Sequence, residues 1–365
     1  MNDDARTKRE AFSRRMTDIL NHAALNLAIA VGYRTGLFET LSRLEVPQTP
    51  LQIAEAAGCS ERYVREWLAV MGTGGIVDIS ADANGQIRYH LPPEHAAFLT
   101  RGAGGDNLAV YTQEIPLLTT QVLEDIVAAF ATGEGLPYEK YPRFQAFMSE
   151  LADNKHETLL VGDFLPSIED GALVARLQTG IRVCDLGCGQ GVALVLMAEA
   201  FPASRFTGID ISGPALAEAR RRAAGRKLEN VDFLEADAAD PGALAHLAGT
   251  FDYITAFDAI HDQRQPLAAL RNVRRLLAPQ GLFSMVDIDA HSSPVDNAGH
   301  PLAPFLYTVS LMHCMPVGLY RGGQGLGMMW GRETAQAMLQ KAGFSRVEVL
   351  TMDFDPFNIH FLCRR

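Results

Sequence analysis

The chain has 365 residues, enough for two domains at roughly 100–200 residues each. Hydrophobic residues make up 48% and charged residues 21%, the balance of a globular protein, while a net charge of −11 and a pI of about 5.4 count against nucleic acid as a partner. The first residues, "MNDDARTKRE", lack the apolar stretch of a secretory signal, no run reaches the ~18 apolar residues of a membrane span, and the five cysteines (Cys59, Cys184, Cys188, Cys314, Cys363) form no CxxC pair, so a cytoplasmic protein with reduced thiols is expected.

In chain order, residues 8–44 read as helix. Phe12, Met16, Ile19, Leu20, Ala23, Leu27, Ala30 and Val31 recur at helical spacing. The stretch is apolar on more than one face, which marks burial in a core or against a partner chain. Thr49-Pro50 starts a helix, Gly58 ends it, Ser60 caps the next, and Asn84-Gly85 turns a hairpin. Helix, turn, helix and hairpin describe a winged helix over residues 1–105. Such a module binds DNA or holds two subunits together. The helix that would read DNA carries Glu61, Arg62, Arg65 and Glu66, whose charges nearly cancel, whereas phosphate affinity needs net positive charge. Dimerisation is therefore the expectation.

Residues 106–170 read as connecting helices, separated by "TGEGLPYEKYP". From 171 to 365 the pattern is α/β. The strands are "IRVCDLG", "RFTGIDI", "VDFLEAD", "FDYITAFD" and "GLFSMVDID", with helices near 190–201, 213–226, 240–248 and 265–277. Repeated βα units imply a mostly parallel, Rossmann-like sheet, and the tail "RVEVLTMDFDPFNIHFLCRR" adds an antiparallel pair to make seven strands.

"VCDLGCGQG" follows the first of these strands and places Gly187, Gly189 and Gly191 where the backbone must approach a ligand. Asp185 sits two residues earlier. A carboxylate there repels pyrophosphate and suits a cationic ligand. Asp210 ends the second strand, where ribose hydroxyls would donate to it, and Asp237 follows the third, within reach of an adenine amino group. With this loop, residues 180–290 resemble a class I S-adenosylmethionine-dependent methyltransferase. The front domain resembles the dimerisation domain of small-molecule methyltransferases, including many O-methyltransferases. The resemblance implies contacts to the methionyl part from Asp185, Gly187, Gly189 and Gly191, and to the ribose and adenine from Asp210, Ile211, Asp237 and Ala238. It also implies a cofactor contact at Phe257 and a homodimer acting on a small molecule.

The fourth strand ends in "FDAIHD". His261-Asp262 is similar to the pair with which winged-helix O-methyltransferases deprotonate a hydroxyl, although Gln263 stands where they usually carry an aromatic. A second reading takes Asp258, His261 and His313 as a facial triad for a divalent metal. The chain resembles metal-dependent α-keto acid C-methyltransferases in this spacing, with Asp258 in place of their Met, which implies Fe or Zn. Base, metal ligand or neither remain open from the residues alone. A winged-helix regulator that uses the cofactor fold as a sensor is the alternative from another class. The segment 290–332 reads as a lid, with Met328, Met329 and Trp330 as pocket candidates and Arg321 or Arg332 as carboxylate binders. Tyr111, Phe144, Phe147 and His156 are further pocket candidates.

Overall fold

The first helix, Asp3–Thr35, stops where Gly36 turns into the left-handed region at φ 72, and a short helix, Leu37–Ser42, follows. The expected single helix over 8–44 is thus broken by a glycine. In the computed structural model, residues 3–365 are described except Pro142. For Asp3, Gly105, Phe144, Gln145, Ala146, Met148, Ser149, Ala152 and Asp153 the backbone alone is described. The chain divides into two compact units, Met1–Leu117 and Leu118–Arg365.

In the first unit, helix Pro50–Ala57 opens with a capping box between Thr49 and Gln52 and ends at left-handed Gly58. Ser60 takes the extended N-cap conformation before helix Glu61–Thr73, but its side chain makes no cap bond, contrary to expectation. Arg62 pairs with Glu66 and Arg65 with Glu61, so the charges of this helix are satisfied along its own length. Gly32 lets the Trp67 ring close on the first helix. A Cβ there would lie 2.4 Å from the ring, and Trp67 Nε1 donates to Ala28 O at 2.8 Å. Strands β1 (Asp78–Ala81) and β2 (Ile87–His90) pair antiparallel about the expected turn, with the Asp82 carboxylate accepting from the backbone of Asn84 and Gln86.

The stretch Ala109–Thr132 is helical, with mean hydropathy 1.3 in an 18-residue window of which 17% is buried, so it is long and apolar enough to cross a membrane by length and composition. It is not an unbroken apolar run, in line with the sequence expectation. Polar residues such as Gln121, Glu124 and Asp125 interrupt the run without lowering its average below that of a span.

The second unit is built on a seven-stranded sheet in the order β5-β4-β3-β6-β7-β9-β8. Its strands are β3 (Arg182–Leu186), β4 (Arg205–Asp210), β5 (Val231–Glu235), β6 (Phe251–Phe257), β7 (Leu277–Ile288), β8 (Arg346–Thr351) and β9 (Asn358–Arg364). The first five are parallel, and β9 runs antiparallel to both β7 and β8. The chain winds outward from β3 to β5, then returns to lay β6 on the other side of β3. Open sheets of this kind bind ligands at that reversal, beyond the C-terminal strand ends. Helices Val192–Ala200, Gly213–Gly225 and Pro266–Leu276 form near their expected places, but 240–248 holds only the 3-10 turn Ala245–Leu247. There Asp240 folds its carboxylate onto the backbone of Gly242 and Ala243 instead of opening a helix. Separate apolar clusters form the core. One holds Ile254, Phe283 and Phe361, the other Val183, Phe206 and Tyr253.

Residues 303–319 form a helix with a π turn at Ser310–Cys314. Pro316 has no N–H to give to Met312 O, the carbonyl four residues back. That carbonyl instead accepts the Tyr141 hydroxyl at 2.8 Å. The segment 133–141 is pressed onto this helix, since a Cβ on Gly135 would lie 2.2 Å from Tyr320 N and Leu136 N donates to Pro316 O.

Candidate active site

Asp185 is buried at the end of β3 and accepts a hydrogen bond from the Thr255 hydroxyl at 2.7 Å. Burial pushes its carboxyl up to about 7; the Thr255 bond opposes this and the nearby Asp210 adds to it. A buried carboxylate in that state favours a cation beside it. The loop that follows is shaped by its neighbours. A Cβ on Gly187 would lie 2.5 Å from Ala259 Cβ, and one on Gly191 2.8 Å from Ala219 Cβ, whereas nothing lies within 4 Å of one on Gly189. Gly189 is therefore where bare backbone faces open space. Asp210 ties the loop to β4 by accepting from Gly189 N and Ser212 N, each at 2.8 Å. Burial raises its pKa, and these amide bonds oppose the rise. Ile211 beside it is a large apolar side chain that is 62% exposed.

Asp237 accepts from Ala239 N at 2.8 Å and from Arg264 at 3.0 Å, so an adenine amino group would meet a carboxylate already paired with Arg264. Ala238 is buried in the core and its carbonyl is taken by Asn272, which leaves its amide for any ligand contact. Phe257 packs its ring edge-on to His156 and Phe164, at 4.8 and 5.5 Å.

Beyond β6 and β7 the titratable groups gather. Asp258 takes a left-handed backbone at φ 48, a conformation that non-glycine residues seldom adopt away from functional or strained sites. Its carboxylate accepts from Asn358 at 2.7 Å, and Asn358 accepts from Lys155 at 2.6 Å. Burial raises Asp258 to about 6, against the pull of Lys155. His261 is buried, and its Nδ1 lies 2.8 Å from Asp287 Oδ1. A carboxylate only accepts, so Nδ1 carries a proton, and once the ring is neutral Nε2 presents the lone pair. Nε2 lies 3.5 Å from Asp262 Oδ1. A ring nitrogen of His261, an Asp262 oxygen and Cys314 Sγ all fall within 4.8 Å of one another. Burial disfavours the charged ring. The carboxylates of Asp287 and Asp262, with hydrogen bonds to Asp287 and Cys314, outweigh it and hold His261 well above the ordinary imidazole value.

His313 is buried in the π turn, its Nδ1 3.4 Å from Cys314 Sγ. The rings of Tyr141 and Tyr138 stand edge-on to it at 4.7 and 5.8 Å. Burial, with His261 nearby and Asp262 opposing, pushes its pKa down to about 4, so the ring is neutral at physiological pH.

A methyltransferase-domain model matches residues 177–305, and a model of an Rv2258c-like winged HTH domain matches residues 23–101. The demethylmenaquinone methyltransferase of Thermus thermophilus is 33% identical over 181 residues, covering 47% of this chain and 77% of that protein. The chain belongs to the class I S-adenosylmethionine-dependent methyltransferases. The solved structure of human N-acetylserotonin methyltransferase in complex with S-adenosylmethionine shares the methyltransferase's fold, with a TM-score of 0.65 at 15% identity over 97% of each chain. So does the mitomycin 7-O-methyltransferase MmcR, with a TM-score of 0.66 at 21% identity over 98% of this chain and 99% of that one.

The predicted residues of the methyltransferase fall into place unevenly. Asp258, His261 and His313 do not converge: among the described residues, the group gathered within 4.8 Å is His261, Asp262 and Cys314. The reason is that Asp258 turns its carboxylate to Asn358 on β9. The partner that orients His261 is Asp287, not the adjacent Asp262. Asp287 was not singled out by any motif. Its only signal in the sequence is an acid inside an apolar strand, at the same sheet end as Asp185 and Asp210. Tyr138 and Tyr141 were also missed, because nothing in their spacing marks the fold of 133–141 onto the helix.

Of the pocket candidates, Met329 and Trp330 are buried among core residues and Arg332 pairs with Asp289. Met328 packs on a small cluster with Ala290 and Leu306, and Arg321 lies over the Tyr320 ring. Phe147 is buried, and the Phe144 side chain lies outside the described residues. His156 stays close to the cleft floor through Phe257, its pKa lowered to about 3 by burial and by Lys155. Tyr111 belongs to the first unit, on the 3-10 turn Ala109–Gln113.

Proposed function

We propose that the methyltransferase methylates a hydroxyl oxygen of a small molecule, with His261 taking the acceptor's proton. The observation that carries this reading is the ring of His261, fixed by buried Asp287 at 2.8 Å with Nε2 turned away from it at the C-terminal edge of the sheet. The bound cofactor supplies a methyl group already activated on a sulfonium. The protein's task is then to hold the acceptor and remove its proton. Asp185 holds the ammonium of the methionyl part, where its burial calls for a cation. The bare backbone at Gly189 lets that part approach, while Gly187 and Gly191 let the loop pack against Ala259 and Ala219. Asp210 accepts from the ribose hydroxyls, and Ile211, Asp237 and the Ala238 amide bound the adenine. Phe257 and His156 close the floor. Tyr138, Tyr141 and His313 make a largely apolar wall on the acceptor side and keep water from the reacting oxygen. The names of the similar proteins above, which act on N-acetylserotonin and at an oxygen of mitomycin, support a small-molecule acceptor.

The proton balance gives the sign of the pH dependence. Transfer needs neutral His261, and its pKa lies above the ordinary value in the ligand-free protein, so the rate rises with pH through the neutral range. Asp287→Asn removes a carboxylate that raises this pKa and lets the amide invert the tautomer. The expected profile has its rising limb at lower pH and a plateau roughly 100-fold or more below wild type. Transfer from methyl-labelled cofactor across hydroxylated aromatic acceptors measures both. An unshifted limb in Asp287→Asn, or label found on carbon alone, contradicts the reading.

We also propose a homodimer through the first unit. Helix Asp3–Thr35 exposes an apolar stripe that includes Phe12 at 65% and Leu20 at 68%, together with Met16, Leu27 and Val31. A free stripe of that kind calls for a covering surface. Light scattering is expected to show a dimer for wild type and a monomer for Phe12→Glu/Leu20→Glu. A monomeric wild type sinks the proposal. The all-thiol cysteines fit a cytoplasmic enzyme.

A further inference from the structure

The geometry points to a cation site in the methyltransferase made of His261 Nε2, the Asp262 carboxylate and Cys314 Sγ, suited to a borderline-soft divalent ion such as Zn²⁺. This rests on the reading that Nε2 is the outward-facing nitrogen of His261.

Four observations converge on it. The three ligand atoms already lie within 4.8 Å of one another, and the nitrogen and the Asp262 oxygen are at 3.5 Å. Tetrahedral zinc with bonds of about 2.0–2.3 Å sets its ligands roughly 3.4–3.6 Å apart, so closure needs a movement of about 1.4 Å or less. Second, among the described residues Asp262 Oδ1 is buried without a hydrogen-bond donor, 3.5 Å from Nε2. Third, Asp287 holds Nδ1–H of the same ring. A carboxylate on the far nitrogen is the support that metal-bound histidines use to aim the near one and raise its basicity. Fourth, the two ligand-bearing segments are locked together. A Cβ on Gly323 would lie 2.0 Å from Gly318 O and 2.9 Å from Arg264 Cα, and Gln324 N donates to Arg264 O at 2.9 Å. The loop after β6 and the helix carrying Cys314 therefore keep their spacing without a cation, and the site is preorganised.

The donor set decides the class of ion. One thiolate, one imidazole and one carboxylate disfavour Mg²⁺ and Ca²⁺, which take oxygen ligands, and suit Zn²⁺, Fe²⁺ or Co²⁺. Three protein ligands leave a fourth position for an exogenous oxygen, as in zinc sites that polarise a substrate. Cation and proton compete for the same lone pair of Nε2, so a loaded His261 does not act as a base. Binding releases protons from the thiol and the ring.

Cobalt(II) alone, added to the full-length protein at pH 8, reads the site without any acceptor. The expected result is one equivalent bound, intense visible bands of tetrahedral cobalt and a near-ultraviolet thiolate-to-cobalt band that zinc displaces. Cys314→Ser loses the thiolate band, and Asp262→Asn weakens binding about 10-fold or more, since each removes one of three ligands. Cys59→Ser and Asp258→Asn leave the spectrum as in wild type. S-adenosylhomocysteine binding by each variant certifies its fold. A wild type without the thiolate band, or a band that survives Cys314→Ser, overturns the site. Neither result bears on whether metal-free protein transfers methyl groups, which the Asp287→Asn profile tests separately.

Discussion

His261→Asn is expected to slow methyl transfer about 10²–10⁴-fold while leaving the affinity for S-adenosylhomocysteine within about twofold, because proton removal by a positioned base contributes on that scale and the ring touches the acceptor side of the cleft. Asparagine is the preferred replacement. Its amide can still donate to Asp287, whereas alanine leaves that carboxylate buried without its partner, a cost of about 3–5 kcal/mol. The measurement is kcat for the fastest acceptor beside calorimetry with S-adenosylhomocysteine. A variant that keeps more than a tenth of the wild-type rate shows that the acceptor reacts without His261. One that loses cofactor binding as well shows that the ring supports the fold rather than the reaction.

The second large effect lies at Asp185. In the ligand-free protein burial holds its carboxyl at about 7, and ionisation is favoured once an ammonium sits beside it. The folded-state pKa is raised, so the charged form predominates only above it. Cofactor binding is therefore expected to weaken as pH falls below 7, and binding near pH 7 is expected to release a proton. Asp185→Asn removes the charge. A charge-assisted hydrogen bond contributes about 1.5–3 kcal/mol, so affinity should fall about 10- to 100-fold and lose this pH dependence. Calorimetry with S-adenosylhomocysteine in buffers of different ionisation enthalpy reads both. Equal affinity at pH 6 and 8 in the wild type, with no proton exchanged, would falsify the assignment.

Much of this site was legible in the sequence because its logic is periodic. Asp185, Asp210 and Asp237 each follow an apolar strand, and strand ends of a parallel sheet share one edge. Position in the sequence therefore predicts position in the cleft. His261 was legible for the same reason. What periodicity cannot give is the direction of a side chain after the strand ends. Asp258 has the right spacing to join His261, but its backbone turns left-handed and its carboxylate goes to Asn358 a hundred residues away. Asp262 follows His261 directly, yet the orienting acid is Asp287, one strand over. Cys314 enters through the π turn, and nothing in "SLMHCMPVG" except Pro316 hints that the helical register breaks there. The helix break at Gly36 was within reach of the sequence, since a glycine just past an apolar stretch is a common stop. The collapse of 240–248 into turns follows from Pro241-Gly242, which the apolar alanines and leucines after them obscured.

In the proposed reaction Nε2 of His261 faces the donor's methyl group. The charge state of that nitrogen tests it without any acceptor. S-adenosylmethionine carries a sulfonium where S-adenosylhomocysteine has a neutral thioether, and a positive charge nearby favours the neutral ring. Nitrogen-15 NMR of the His261 imidazole, followed against pH in the two complexes, should show a clearly lower pKa with S-adenosylmethionine than with S-adenosylhomocysteine. The same pKa in both complexes would contradict the account and place the ring away from the methyl group.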